Sequence, residues 1–135
     1  MHDSPHRLAL ALLLVAGCST LALSLAAAAG LEPVRPADVL LVPLAWHRHL
    51  LAAMIGVGLL VAVFVPRARF AAAAVAIADK GSFLAVSLAA GGSLDARQGL
   101  DAALLVPLVA AVAMLAYSAR REARWEGVLP WRLEA

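Results

Sequence analysis

Four apolar runs of about twenty residues leave this chain few ways to fold. They cover residues 8–31, without a single charge; 44–65, closed by Pro66; 70–90, closed by Gly91 and Gly92; and 99–118, followed by Arg120 and Arg121. At about 1.5 Å rise per residue each reaches about 30 Å, the thickness of a bilayer's hydrocarbon layer. None shows the strict alternation of a membrane barrel strand. The expectation is an all-α integral membrane protein, a four-helix bundle running up-down-up-down. It would form one transmembrane domain over residues 1–135, with helices at about 8–31, 44–65, 70–90 and 99–118 and a cytoplasmic tail at 119–135.

Composition agrees. Hydrophobic residues make up 64% of the 135, against roughly 45–50% in soluble domains, and the mean hydropathy is +0.89. The formal charge is only +2. No basic stripe interleaves with aromatics, so a nucleic-acid partner is not expected. The expected partners are the lipid bilayer and, within it, further copies of the chain or other membrane subunits.

Basic residues set the orientation, because cytoplasmic loops carry an excess of Lys and Arg. A cytoplasmic N-terminus puts Arg7, Arg67, Arg69, Arg120, Arg121, Arg124 and Arg132 on the inner side, and Arg35, Arg48 and Arg97 outside. Seven against three favours a multi-pass protein of the cell (inner) membrane with both termini inside. Trp46 and Tyr117 then approach opposite interfaces.

The first run has a rival reading. Arg7, a short apolar stretch and Val15-Ala16-Gly17-Cys18 look like a bacterial lipoprotein signal, in which the Cys is lipidated. Cys18 is also the only cysteine, so no intramolecular disulfide is possible. The sequence after Cys18 returns at once to apolar residues and completes a spanning helix, which a signal peptide does not need. An uncleaved helix is therefore preferred, with Gly17, Cys18, Ser19, Thr20 and Ser24 suited to close helix packing.

The connection at 32–43 carries Pro33, Pro36 and Pro43, which favour a stiff extended segment. The turn Pro66-Arg67-Ala68-Arg69 is tight enough to make the second and third helices antiparallel neighbours, and the short loop at 91–98 does the same for the third and fourth. Gly56 and Gly58, with Ala52 and Ala53, mark a close helix contact. Pro107 predicts a kink and a freed backbone carbonyl. The tail is expected to extend the last helix by a turn or two.

Asp79 and Lys80 stand side by side in the third run, where ionisable groups are functional suspects by default. Counting residues from the outer ends, His49, Lys80 and Asp101 could converge in the outer half of the bundle. Asp79 projects about 100° away from Lys80 and needs another partner, such as a serine of the first helix. One reading is a small polar pocket that binds a polar ligand or passes protons. The other is that these groups neutralise one another and fix helix register. A central Lys or Asp costs only about 2.5–3.5 kcal/mol on insertion scales, so no functional reward is required.

Other chemistry finds less support. His47 and His49 share one helix end, while His2 and His6 lie near the N-terminus, which suits neither a haem nor a metal site. No nucleophile–base–orienter set and no Gly-rich phosphate loop is present. No catalytic, cofactor-binding or metal-binding residue is expected, and no cofactor.

The run Arg48-His49-Leu50, the Pro66-Arg67-Ala68-Arg69 turn, Lys80 followed by Phe83, and Asp101 opening the last helix together resemble uncharacterised small four-helix bacterial membrane proteins of the broadly DoxX-like kind. The resemblance covers about residues 46–115. It implies a four-helix bundle and, for some DoxX-type proteins, association with membrane redox complexes. The expected function is that of an accessory or scaffold subunit with a polar outer-half cluster. The alternatives are a small oligomeric transporter or proton-coupled permease, and a redox-complex component of DoxX type.

Overall fold

The computed structural model describes residues 4–30, 42–89, 91 and 96–126, except for the side chains of 42, 97, 98, 101 and 122–126. The described residues form four α-helices: α1 (Ser4–Ala28), α2 (Val42–Phe64), α3 (Arg69–Ala89) and α4 (Ala96–Glu126). All four are long and apolar enough to cross a membrane. The described residues therefore adopt the expected all-α architecture.

The helix ends follow from local chemistry. Pro5 and Pro43 are the second residues of α1 and α2, where a missing N–H costs nothing because the first turn has no intrahelical acceptor for it. Pro43 was expected in the preceding loop and belongs to α2 instead. Most of the 32–43 connection lies outside the described residues. Gly30 (φ 75°) and Gly91 (φ 68°) follow α1 and α3 in the left-handed conformation that glycine tolerates without penalty. Their N–H groups donate to Ala27 O and Leu88 O, both at 3.1 Å.

α4 starts earlier than expected and extends into the tail as expected. It begins before Gly99 and runs two turns past Ser118. Pro107 lies inside it and the helix continues through, so the Ala103 carbonyl lacks the N–H it would otherwise accept from.

α1 packs against α2 and α4, and α3 packs against the same two, closing a ring of four. The buried stripe runs Ala9, Leu13, Ala16 on α1; Leu59, Ala62 on α2; Ala73, Ala76 on α3; and Leu108, Ala111, Leu115 on α4. Steps of three and four residues keep each set on one helical face. Six of these ten are alanine, while the exposed large side chains are mostly Leu and Val with some Phe and Met, among them Phe64, Met54 and Val106, and with Trp46 and Tyr117 toward the ends of the apolar spans. Small residues inside and bulky apolar ones outside suit helices solvated by lipid, where close backbone approach replaces the hydrophobic driving force.

α1 and α2 approach each other closely. A Cβ on Gly17 would lie 3.0 Å from the Leu60 side chain and 3.2 Å from Gly56 O. Gly58 has nothing within 4 Å of its own Cβ position, so only Gly56 of the expected glycine pair marks the contact. At the other end of α2 a single 3-10 turn, Pro66–Ala68, leads directly into α3. Arg69 secures that corner. Its Nε donates to Ala62 O at 3.2 Å and its NH2 group to Val63 O at 3.1 Å, while NH1 donates to His6 Nε2 of α1 at 3.2 Å. These carbonyls belong to the last turn of α2, where no intrahelical donor remains.

Candidate functional site

The apolar stripes do not run the full length of the bundle. On α1 the series Ala9, Leu13, Ala16 continues in the same register to Thr20 and Ser24, and on α3 Ala73, Ala76 continues to Lys80; all are buried. Thr20, Ser24 and Lys80 are only 1%, 4% and 4% exposed. An alanine-lined section thus gives way to a polar one without any change of helix face.

These three side chains meet in one cavity with Leu23 of α1, Arg48, His49 and Ala52 of α2, and Asp79 and Phe83 of α3. Its volume is about 30 Å³. Late residues of α1 and α3 therefore stand beside early residues of α2. At about 1.5 Å per residue, Ser24, Arg48 and Phe83 lie about 6–9 Å from their helix ends, and Thr20, Lys80 and Ala52 about 12–15 Å. The cavity consequently has a roof and a floor.

Arg48 and Phe83 make the roof. The guanidinium carbon of Arg48, on an exposed residue, lies 3.6 Å from the centroid of the half-buried Phe83 ring, within cation–π range. Arg48, His49 and Lys80 each carry further interactions besides. The floor holds Thr20. Its carbonyl accepts the Ser24 hydroxyl at 2.7 Å, the bond back into the helix that a buried Ser makes when nothing better is offered. The Thr20 hydroxyl has no hydrogen-bond partner among the described residues.

Of the four residues expected to form a polar cluster, His49, Asp79 and Lys80 line this cavity. Asp101 has its backbone in the second turn of α4, and its side chain lies outside the described residues. Asp79 is half-buried beside the buried Lys80. The 100° offset between them brings it to the flank of the same inward face, not to a separate site. A serine of α1 does share the cavity with Asp79, but Ser24 has committed its proton to Thr20 O. Ser82 donates to the Asp79 backbone carbonyl at 2.9 Å.

Sequence reasoning read Thr20 and Ser24 as packing residues and set Arg48 and Phe83 apart from the cluster. The signal was present for the first two: they sit four and eight residues past Ala16, on the stripe that Ala9 and Leu13 begin. No local pattern announces the Arg48–Phe83 stack, because it joins two helices.

Cys18 is exposed on the outer face of α1. His6 meets Arg69 at the start of α3, eleven residues and about 16 Å along that helix from Lys80. Among the described residues no three His, Cys, Asp or Glu side chains gather as a metal-binding group. Compared with protein-family models, curated proteins and solved structures, the chain shows no significant match.

Proposed function

We propose that this chain is a multi-pass inner-membrane protein, an up-down-up-down bundle with both termini cytoplasmic. It acts as an accessory or scaffold subunit, assembled with copies of itself or with other membrane subunits. One observation carries the scaffold reading. The polar groups surround a space of about 30 Å³, whereas small-molecule sites occupy roughly 300–1,000 Å³. A cluster of this size fixes how the helices dock; it does not receive a metabolite. Buried polar groups specify register because any other alignment leaves them unsatisfied among apolar side chains.

The orientation is supported by the Arg69–His6 contact, which joins the N-terminal end of α1 to the basic turn between α2 and α3. Arg7, Arg67 and Arg69 then share one side, as the positive-inside rule favours. Retention of Cys18 within an uncleaved helix is supported by packing. Cleavage before it would remove Ala9, Leu13 and Ala16, all fully buried.

The scaffold reading is tested at Lys80. Lys80→Met alone should destabilise the protein, and Lys80→Met with Asp101→Leu should largely restore it, since both ends of the proposed pair are then apolar. A double variant that folds well yet has lost the cellular phenotype would refute the scaffold and favour a working site. That second reading, a small oligomeric transporter or proton-coupled permease, draws on the presence of His49 and Asp79 in one cavity. Kinship with DoxX-like proteins rests on the short motifs alone, and we propose no redox step from it.

A further inference from the structure

We propose that the cavity under Arg48 and Phe83 is a site for internal water, one or two molecules held against the Thr20 hydroxyl. The inference rests on the membrane-bundle reading above and adds the ligand of the polar cluster.

Size is the first argument. A cavity of about 30 Å³ compares with the roughly 10–15 Å³ that one water requires. Anything as large as a carboxylic acid or a sugar is excluded.

Lining is the second. Empty cavities in proteins are apolar, whereas a water site needs two to four polar partners. Here the wall presents Thr20, Ser24, His49, Asp79 and Lys80. The Ser24 oxygen keeps lone pairs free to accept after its proton goes to Thr20 O.

The third argument is independent of both. Thr20 is 1% exposed and its Oγ1 lacks a partner among the described residues. Helical threonines ordinarily return this hydroxyl to a carbonyl three or four residues back. Thr20 does not, although Ser24 one turn later does. A buried hydroxyl without a partner is costly, and a water in the adjoining cavity removes that cost by accepting from it and donating elsewhere.

The roof gives the site a control point. The Arg48–Phe83 stack stands between the cavity and the nearer helix ends, so loosening it should speed water entry. Water beneath it supplies Asp79, Lys80 and His49 with a medium for proton exchange about 10–15 Å below those ends.

The full chain in proteoliposomes allows the test. Water-edited solid-state NMR should show magnetisation passing from water to Thr20 and Lys80 at mixing times that leave Leu13, Leu59 and Leu108 dark. Phe83→Ala should accelerate the transfer to Lys80. Thr20→Val keeps the shape but removes the hydroxyl. It should lower the thermal midpoint by roughly 3 °C or more, while Thr20→Ser stays close to the parent. The opposite sign is equally informative, because a methyl group is preferred over an unsatisfied hydroxyl in a dry cavity. A Thr20→Val protein as stable as the parent or more so, or a Thr20 signal as dark as Leu13, overturns the proposal. If Thr20→Val does not fold, the NMR of the parent decides. Failure of the scaffold reading at Lys80 and Asp101 leaves these readouts unaffected, since they need only an intact bundle.

Discussion

Gly56 of α2 lies against the backbone of Leu21 of α1, so that a Cβ at position 56 would stand 2.9 Å from the Leu21 nitrogen. Backbone cannot give way as a side-chain tip can, and the two helices would have to separate. Two residues further on, Gly58 faces open space. Gly56→Val should therefore cost about 1–3 kcal/mol through overpacking. Gly58→Ala should cost nothing, and could add up to about 1 kcal/mol from helix propensity. Unfolding curves in detergent micelles for the two variants check the contrast; equal losses would refute the close crossing.

Arg69 holds three partners with one guanidinium: two carbonyls at the end of α2 and the His6 ring of α1. A lysine is a single point donor and cannot reproduce that fork. Arg69→Ala should cost about 1–3 kcal/mol, with Arg69→Lys recovering only part of it. Because arginine can only donate, His6 must accept at Nε2 and carry its proton on Nδ1. Nitrogen-15 shifts of the His6 ring will read that tautomer directly, and Arg69→Ala should abolish the preference.

The Arg48–Phe83 stack predicts a smaller effect. Replacing Phe83 by Leu keeps an apolar side chain but removes the π-face, and should cost about 0.5–1 kcal/mol. Arg48→Ala combined with Phe83→Leu should cost little more than either alone if the two residues act as a pair. Additive losses in a double-mutant cycle would dissociate them.

Topology is open to chemical labelling. With Cys18 replaced by Ser, a cysteine at position 67 should react with a membrane-impermeant maleimide only from the cytoplasmic side, and one at position 38 only from the other. Labelling from the same side would contradict the proposed arrangement of the first two spans.

Intact-mass measurement settles the processing of Cys18. The purified protein should retain the segment preceding it and carry no lipid. A mass corresponding to cleavage between Gly17 and Cys18 would mean that the folded bundle forms without Ala9, Leu13 and Ala16.

Much of this molecule was legible as a string of residues. The four helices follow from the length and apolarity of residues 8–31, 44–65, 70–90 and 99–118, since both are properties of a segment taken alone. The tight Pro66 turn is legible for the same reason. So is the inward turn of Lys80, because an ammonium group facing acyl chains is costly. What could not be read was pairing. Gly56 and Gly58 are indistinguishable in sequence, and only the crossing point with α1 makes one indispensable and the other free. Thr20 and Ser24 look like packing residues until Lys80 and Asp79 come to face them from α3. Arg48 becomes a roof only because Phe83 arrives beneath it. Lipid selects which segments become helices one at a time, whereas a cavity exists only where several helices have chosen the same height and facing. That choice is made by packing across the chain, and no local stretch of it contains the answer.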